Sequence, residues 1–495
     1  MARYLKRLLN SLGAYQVASA LQKVLAVLLL PVYTGRIASG GYGIVETLAT
    51  FVIFVSIVVR FGIIESFLRY YFADKDRARQ DLLVRRSVLF LLLTSTAASI
   101  LLAIPAGPLS HLITTEHVPG AYRWAILGVW SFTNLELAQA VLRVDERLKA
   151  YAVCNTVNVL LTVAASVVLV VGAGKGYIGL LIANYGSSTI VLLGLWWHLR
   201  RRLFRRPEGH GDTWRKLFGF GLPTVPAEAS AYALSVLDRQ YIAHQHGINA
   251  AGRYAIALKV AGAIVFIVQA FQYAWPPLAY SVTDDAEAAR LYGLVTTYYV
   301  LITGWVVAGL TLEDRYIVNY LTLHSKYAAS YHAAYRAIPW VCLGWAFYGL
   351  WVVLLVIAGR AQITSRNFPA AFAGLVVNVV LLVVLVPRYG IAGAGVALCG
   401  AYVAMLTVMH LLIRRAFPVD FEWRRLAHLV AVAGGITVAG TLLLPTAGFW
   451  GLVLRALVFV AIPPALWATG FLHTEELQQG LAVGRKLQAR LRAGT

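Results

Sequence analysis

The chain has 495 residues, 59% of them hydrophobic and only 13% charged, with a formal net charge of +21 and a mean hydropathy of +0.70. This composition excludes a water-soluble globular protein and leaves no room for a large soluble domain. The positive charge alone would also admit a nucleic-acid partner, but its placement along the chain argues against one.

About fourteen apolar segments follow one another, each close to the ~20 residues a helix needs to cross a bilayer core. The pattern predicts spans at 10–33, 43–67, 87–108, 122–142, 151–172, 177–198, 217–240, 252–274, 291–311, 337–358, 367–387, 391–413, 426–445 and 449–471. The opening MARYLKRLLNSLGAY has no short apolar core followed by a small-residue cleavage site, so the first span reads as an uncleaved signal-anchor. Cytoplasmic loops retain Lys and Arg. With the N-terminus placed in the cytoplasm, the inner gaps and both tails hold 30 of the 43 Lys and Arg and the outer gaps hold 8. The expected topology is therefore multi-pass with both termini cytoplasmic. The charge excess is mostly topological, and no nucleic-acid partner is expected.

Cys154, Cys342 and Cys399 lie in three different apolar segments without C-x-x-C spacing and read as small core residues. Gly172–Gly179 imitates a phosphate loop but lacks its full pattern. GIAGAG (Gly390–Gly395) occupies the matching place later in the chain, and tight helix-to-helix turns explain both. The pair His244 and His246 reads as accidental spacing. No metal, cofactor or enzyme signature is expected.

The two halves of the chain resemble each other. GGYGIV (Gly40–Val45) matches GRYAIA (Gly252–Ala257), VNVL (Val157–Leu160) matches VNVV (Val377–Val380), and GYIG (Gly176–Gly179) matches GIAG (Gly390–Gly393). The order is kept and each offset covers six spans, an even number, so the copies run in the same orientation as parallel repeats. The expected architecture is all-α: two parallel six-helix repeats around a central cavity, plus two extra C-terminal helices. The expected domains are 1–206, 207–415, 416–473 for the added pair, and a cytoplasmic tail at 474–495.

Five stretches carry a family likeness: Ser11–Glu46, Phe61–Phe72, Gly221–Ile242, Gly252–Gly262 and Asn367–Leu398. With these residues the chain resembles the polysaccharide exporters of the multidrug/oligosaccharidyl-lipid/polysaccharide superfamily, above all the bacterial O-antigen-type oligosaccharide flippases. The resemblance implies a non-enzyme that moves a polyprenyl-diphosphate-linked oligosaccharide from the inner to the outer leaflet of the bacterial inner membrane. Its products would be surface polysaccharides such as O-antigen or exopolysaccharide. The implied partners are that lipid-linked sugar, membrane lipids, and polysaccharide-assembly proteins at 69–86 and 198–216. Two other readings compete: a cation-coupled multidrug exporter of the same superfamily, and a membrane polymerase or glycosyltransferase. The enzyme reading wants a large outer loop, whereas the longest outer gap is 312–336.

Ionisable side chains deep in a membrane are costly and normally face a cavity or a partner. Lys23, Arg60 and Lys259 are the candidate cavity cations, suited to a diphosphate. Gln16, Asn158, Gln272 and Asn378 are the candidate amides for the sugar. Glu228 follows Pro223 and Pro226, which are expected to break the helix, and is the candidate coupling acid for a proton or Na⁺. Glu65 with Arg69, at i and i+4, and Asp238 with Arg239 are the expected gating or structural pairs. Arg455, in the added helices, is expected to snorkel.

Overall fold

The computed structural model describes residues 28–73, 76–145, 147–203, 213–323, 325–361, 363 and 366–471. The elements in chain order are α1 (Leu30–Arg36), α2 (Ser39–Val59), α3 (Ile63–Ala73), α4 (Arg77–Ala103), α5 (Ala106–Thr114), α6 (Pro119–Val144) and α7 (Leu148–Ser166). Next come α8 (Gly176–Leu203), α9 (Thr213–His246), α10 (Ile248–Val260), α11 (Gly262–Ser281), α12 (Asp285–Leu312), α13 (Asp314–Leu321) and α14 (Ala328–Tyr331). The last are α15 (Ile338–Arg360), α16 (Asn367–Ile413), α17 (Trp423–Leu443) and α18 (Gly448–Ala468). A π-turn, Val167–Gly172, ends α7. No strand occurs among the described residues.

The all-α membrane fold is as expected, but the number of spans is less definite. Among the described residues ten helices are long and apolar enough to cross a bilayer, or eleven when the bent pair α10–α11 is taken as one span. Three features separate this from fourteen. The first expected span lies almost wholly outside the described residues. The helix α9 is diluted by prolines, Tyr232 and Glu228 and is not among the ten. One of the ten, α16, has 47 residues and leaves helical geometry at Gly390, with φ 57° and ψ −133°. At 1.5 Å per residue it is far longer than one crossing, so Gly390 sits where 367–387 and 391–413 were expected to part. Gly174 and Gly176 also take positive φ, in the turn before α8. Both glycine-rich stretches are turns, as expected.

The chain divides into two compact units. The first holds Met1–Lys259, Asn319–Ala334 and Val384–Ala394, and the second holds Val260–Val318, Tyr335–Val383 and Gly395–Thr495. In the first, α6 packs on α8, α4 and α2, and α9 packs on α3 and α2. Ile63, Phe67, Val84, Leu91, Val141 and Leu192 form its core. In the second, α12 packs on α15, α17 and α18. Trp275, Tyr292, Ile357 and Met409 form one core there, and Leu429, Ile462 and Leu466 a smaller one. Large apolar side chains such as Leu101, Ile104, Leu442 and Leu443 are more than two-thirds exposed, as expected of surfaces that face lipid.

Close backbone contacts hold the first unit together. A Cβ on Gly43 would stand 2.2 Å from the Ile248 carbonyl oxygen, and one on Gly252 would stand 1.9 Å from that of Ser39. The motifs GGYGIV and GRYAIA therefore meet backbone to backbone, and Ser39 Oγ donates to Asn249 Oδ1 at 3.0 Å. Elsewhere in the unit, Arg202 joins four helices. It pairs with Asp81 at 3.2 Å and with Asp145, and donates to the Tyr71 hydroxyl at 2.9 Å. Tyr71 in turn donates to Asp145 at 2.8 Å.

Candidate functional site

The position of Arg60 follows from a local break. The helix α2 ends at Val59, and Phe61 and Gly62 then take positive φ, 50° and 67°. For Phe61 that conformation costs about 1–2 kcal/mol. Gly62 has a further reason to lack a side chain: its Cβ would stand 2.0 Å from the Gly221 carbonyl oxygen. A Cβ on Gly221 would stand 2.5 Å from the Gly62 carbonyl oxygen, and Ser66 Oγ donates to the Leu217 carbonyl at 2.6 Å. Leu217, Gly221 and Glu228 lie four and then seven residues apart, on one face of α9. The glycine contact that brings α9 against the break thus brings Glu228, two turns on, to Arg60.

Arg60 is held by two carboxylates. Its Nη2 lies 2.6 Å from Glu228 Oε1 and its Nη1 2.8 Å from Glu136 Oε2. The arginine side chain is 5% exposed, whereas Glu136 and Glu228 are 31% and 35% exposed. Glu65 and Glu136 also stand near enough to Glu228 to repel its charge. Glu65 Oε2 is buried without a hydrogen-bond partner. One guanidinium thus serves two carboxylates, with a third, Glu65, close to Glu228, an arrangement able to take up a proton or to exchange a carboxylate for another anion.

Two expectations need correction at this site. The prolines do not break α9, which runs through Pro223 and Pro226 as one helix; each proline removes only its own backbone donor. Glu65 and Arg69 form no ion pair. Arg69 instead lies 4.2 Å over the Phe220 ring, a cation–π contact that takes it away from Glu65. Glu136, an acid in the middle of the apolar α6, carries the same signal in the sequence as Glu228.

A second group of charges lies where α2, α9 and α10 meet. Glu46 lies 3.1 Å from Lys259 Nζ and 3.4 Å from Arg239 Nη1. Arg239 also donates to Thr50 Oγ1 at 3.0 Å. Asp238 and Arg239 do not pair through their side chains. Buried Asp238 accepts from the Tyr254 hydroxyl and from the Arg239 backbone N–H at 2.8 Å. Lys259 and Glu46 line a cavity of about 390 Å³, with Tyr33, Tyr42, Asn158, Asn184 and Tyr185 among its other walls. Asn158 Oδ1 is buried without a hydrogen-bond partner. Amides, hydroxyls and aromatic faces around a cation–carboxylate pair suit a polar, hydroxyl-rich ligand.

The remaining candidates are dispersed. Lys23 and Gln16 lie outside the described residues. In the second unit, Gln272 donates to the Tyr348 hydroxyl at 3.1 Å, and Asn378 is buried with an unpartnered Oδ1. Arg455 does not snorkel. It is 2% exposed and donates to the carbonyls of Leu312 at 2.5 Å, Pro445 at 3.0 Å, Leu444 at 3.2 Å and Thr441 at 3.4 Å. These carbonyls end α12 and α17, where a cation is favoured. Beside them, outside the spans, burial pushes the Asp314 carboxyl up to about 6. His244 Nε2 lies 3.1 Å from the Leu112 carbonyl and His246 Nε2 2.7 Å from that of Val386.

With this geometry established, comparison with known structures defines the class. The chain matches a structure titled lipid II flippase MurJ, inward closed conformation, with TM-score 0.70 and 12% identity over 92% of this chain and 98% of that one. It matches an inward-facing multidrug resistance MATE family transporter of the MOP superfamily with TM-score 0.65 and 14% identity over 80% and 94%. A MOP superfamily transporter from Pyrococcus furiosus matches with TM-score 0.56 and 12% identity over 84% and 96%. The fold is that of MOP superfamily transporters. A family model described as polysaccharide biosynthesis protein matches residues 36–331, and the chain belongs to that family. No curated protein matches it.

Proposed function

We propose that this protein is a flippase for a polyprenyl-diphosphate-linked oligosaccharide, carrying it from the inner to the outer leaflet of the cytoplasmic membrane by alternating access. Two parallel six-helix repeats would rock about a central cavity, with both termini cytoplasmic and the glycan destined for surface polysaccharide. A diphosphate and its sugars cannot cross hydrocarbon unaided, whereas the polyprenyl tail can stay in lipid. The observation that carries this reading is the cavity of the first unit, whose largely apolar wall carries Lys259, Asn158, Asn184 and three tyrosines, in a chain of the polysaccharide biosynthesis family. Lys259 is 37% exposed and is the more accessible cation for the diphosphate. Arg60 would reach that anion only by releasing Glu136 or Glu228.

The test is translocation of a fluorescent polyprenyl-diphosphate oligosaccharide in proteoliposomes. Lys259→Ala and Asn158→Ala should each slow it at least about tenfold, as loss of a charge-assisted or buried hydrogen bond does, while the protein stays folded. Unchanged rates in both variants would sink the cavity assignment.

One observation favours a second reading, a cation-coupled multidrug exporter of the same superfamily. Glu136 and Glu228 share the one guanidinium of Arg60, with Glu65 close to Glu228, and Glu228 would then carry the coupling proton or Na⁺. Under that reading Glu228→Gln abolishes the dependence of transport on an imposed ion gradient. Under simple flipping driven by potential or by glycan consumption, no such dependence exists to lose.

A further inference from the structure

The second unit carries two adjoining hollows of opposite character. One is a groove of about 400 Å³ between α12, α15, α16 and α17, walled by aliphatic side chains such as Val300, Leu354, Val403 and Leu406. The other, of about 540 Å³, is lined by Glu422, Arg424, Arg425 and His428. Phe421 and Trp423 wall both. With His410 they form an aromatic triad, each pair of ring centroids 5.5–5.6 Å apart.

The 414–425 segment carries four arginines against two acids. Arg414, Arg415 and Arg424 are exposed and form no ion pair among the described residues. Arg366 adds its charge while donating to the Leu412 carbonyl at 2.6 Å. Of the two acids in the 414–425 segment, Glu422 is engaged by Arg425 at 3.2 Å, leaving Asp420 beside the exposed arginines. An apolar slot opening beside a cationic hollow, with a tryptophan at the boundary, has the polarity profile of one amphiphile: an aliphatic chain ending in an anionic head.

We propose that the groove and hollow together bind one anionic phospholipid of the surrounding bilayer, its acyl chain between α12, α15 and α16 and its phosphate against Arg414 and Arg424. The 414–425 segment lies on the side that the Lys/Arg distribution assigns to the cytoplasm, where anionic lipid and juxtamembrane cations attract each other. This site is independent of the cargo assignment, because it shares no residue with the first-unit cavity.

The experiment uses the full chain in nanodiscs containing phosphatidylglycerol with a photoreactive group in its acyl chain, or the matching phosphatidylcholine probe. Labelled peptides are mapped by mass spectrometry. Wild type should label at 296–300, 350–354 and 403–411 with phosphatidylglycerol and much less with phosphatidylcholine. Replacing Arg414, Arg415 and Arg424 together by Gln should lower phosphatidylglycerol labelling on the order of a hundredfold if each acts as a juxtamembrane cation does. These side chains are exposed, so the variant keeps its fold, which an unchanged melting temperature checks. Val403→Trp, at a half-exposed wall position, should block labelling with every arginine in place. Equal labelling by the two lipids, or undiminished labelling in either variant, would overturn the site. Displacement of the probe by an equimolar polyprenyl phosphate would overturn the choice of occupant in favour of the cargo tail.

Discussion

Arg60 in the first unit and Arg455 in the second present the same physical problem and solve it differently. Both are nearly fully buried, Arg60 at the C-cap of the apolar α2 and Arg455 within the apolar α18, and an unsatisfied guanidinium there would cost several kcal/mol. Arg455 is satisfied by four backbone carbonyls at the ends of α12 and α17. Carbonyls cannot titrate and cannot leave, so this arginine is a fixed clasp. Arg60 is satisfied by two carboxylates that are themselves about one-third exposed. Carboxylates can be protonated, and either can be replaced by another anion. A buried cation alone therefore does not mark a working site; the chemistry of its partners does.

The contrast can be broken in order of expected effect. Arg455→Met should be the most damaging change, because it strands several carbonyls at roughly 1–3 kcal/mol each. The melting temperature in detergent should collapse, and no second substitution among the acids should restore it. Arg60→Met should cost about 3–5 kcal/mol by leaving carboxylates uncompensated. Here the double variant Arg60→Met/Glu228→Gln should recover much of the loss, and failure to recover would put Arg60 in the same class as Arg455. Gly221→Ala tests how α9 is delivered to Arg60. Its Cβ would meet backbone and Ser66 Oγ at 2.5–2.7 Å, so about 1–3 kcal/mol is expected from overpacking, with transport falling alongside stability. The smallest effect lies beside Arg455. Asp314 has its pKa raised from 3.8 to about 6. Stability from this group is greatest below the lower value, falls as pH rises between the two, and is constant above. Asp314→Asn should flatten that part of the pH–melting curve and leave the rest unchanged.

The sequence was most readable where hydropathy alone decides structure. Membrane residence, the all-α class and the turn at Gly390 come directly from apolar runs and glycines. Arg60 and Glu228 stood out as charges in apolar segments, but their pairing did not. They are 168 residues apart, and what joins them is the contact of Gly62 with Gly221, which no periodicity reveals. Lys259 and Asn158 proved to line one cavity for the same reason. The Glu65–Arg69 expectation failed because local spacing predicts a possible pair, and Phe220 on a distant segment offers Arg69 a competing surface. Arg455 was misread because its partners are carbonyls, which every residue has and no sequence displays.

The Arg202 junction also sets an order of events during synthesis. Tyr71, Asp81 and Asp145 leave the ribosome before Arg202, and Asp145 is 3% exposed in the finished protein. Until α8 arrives, the three segments carrying those side chains lack the cation that bridges all of them in the finished protein. Assembly of the first unit is therefore gated late, by the last turn of α8. Nascent chains halted before residue 202 should be cleared far faster by membrane proteases than chains halted after α8 has inserted. Equal lifetimes for the two would remove that gate.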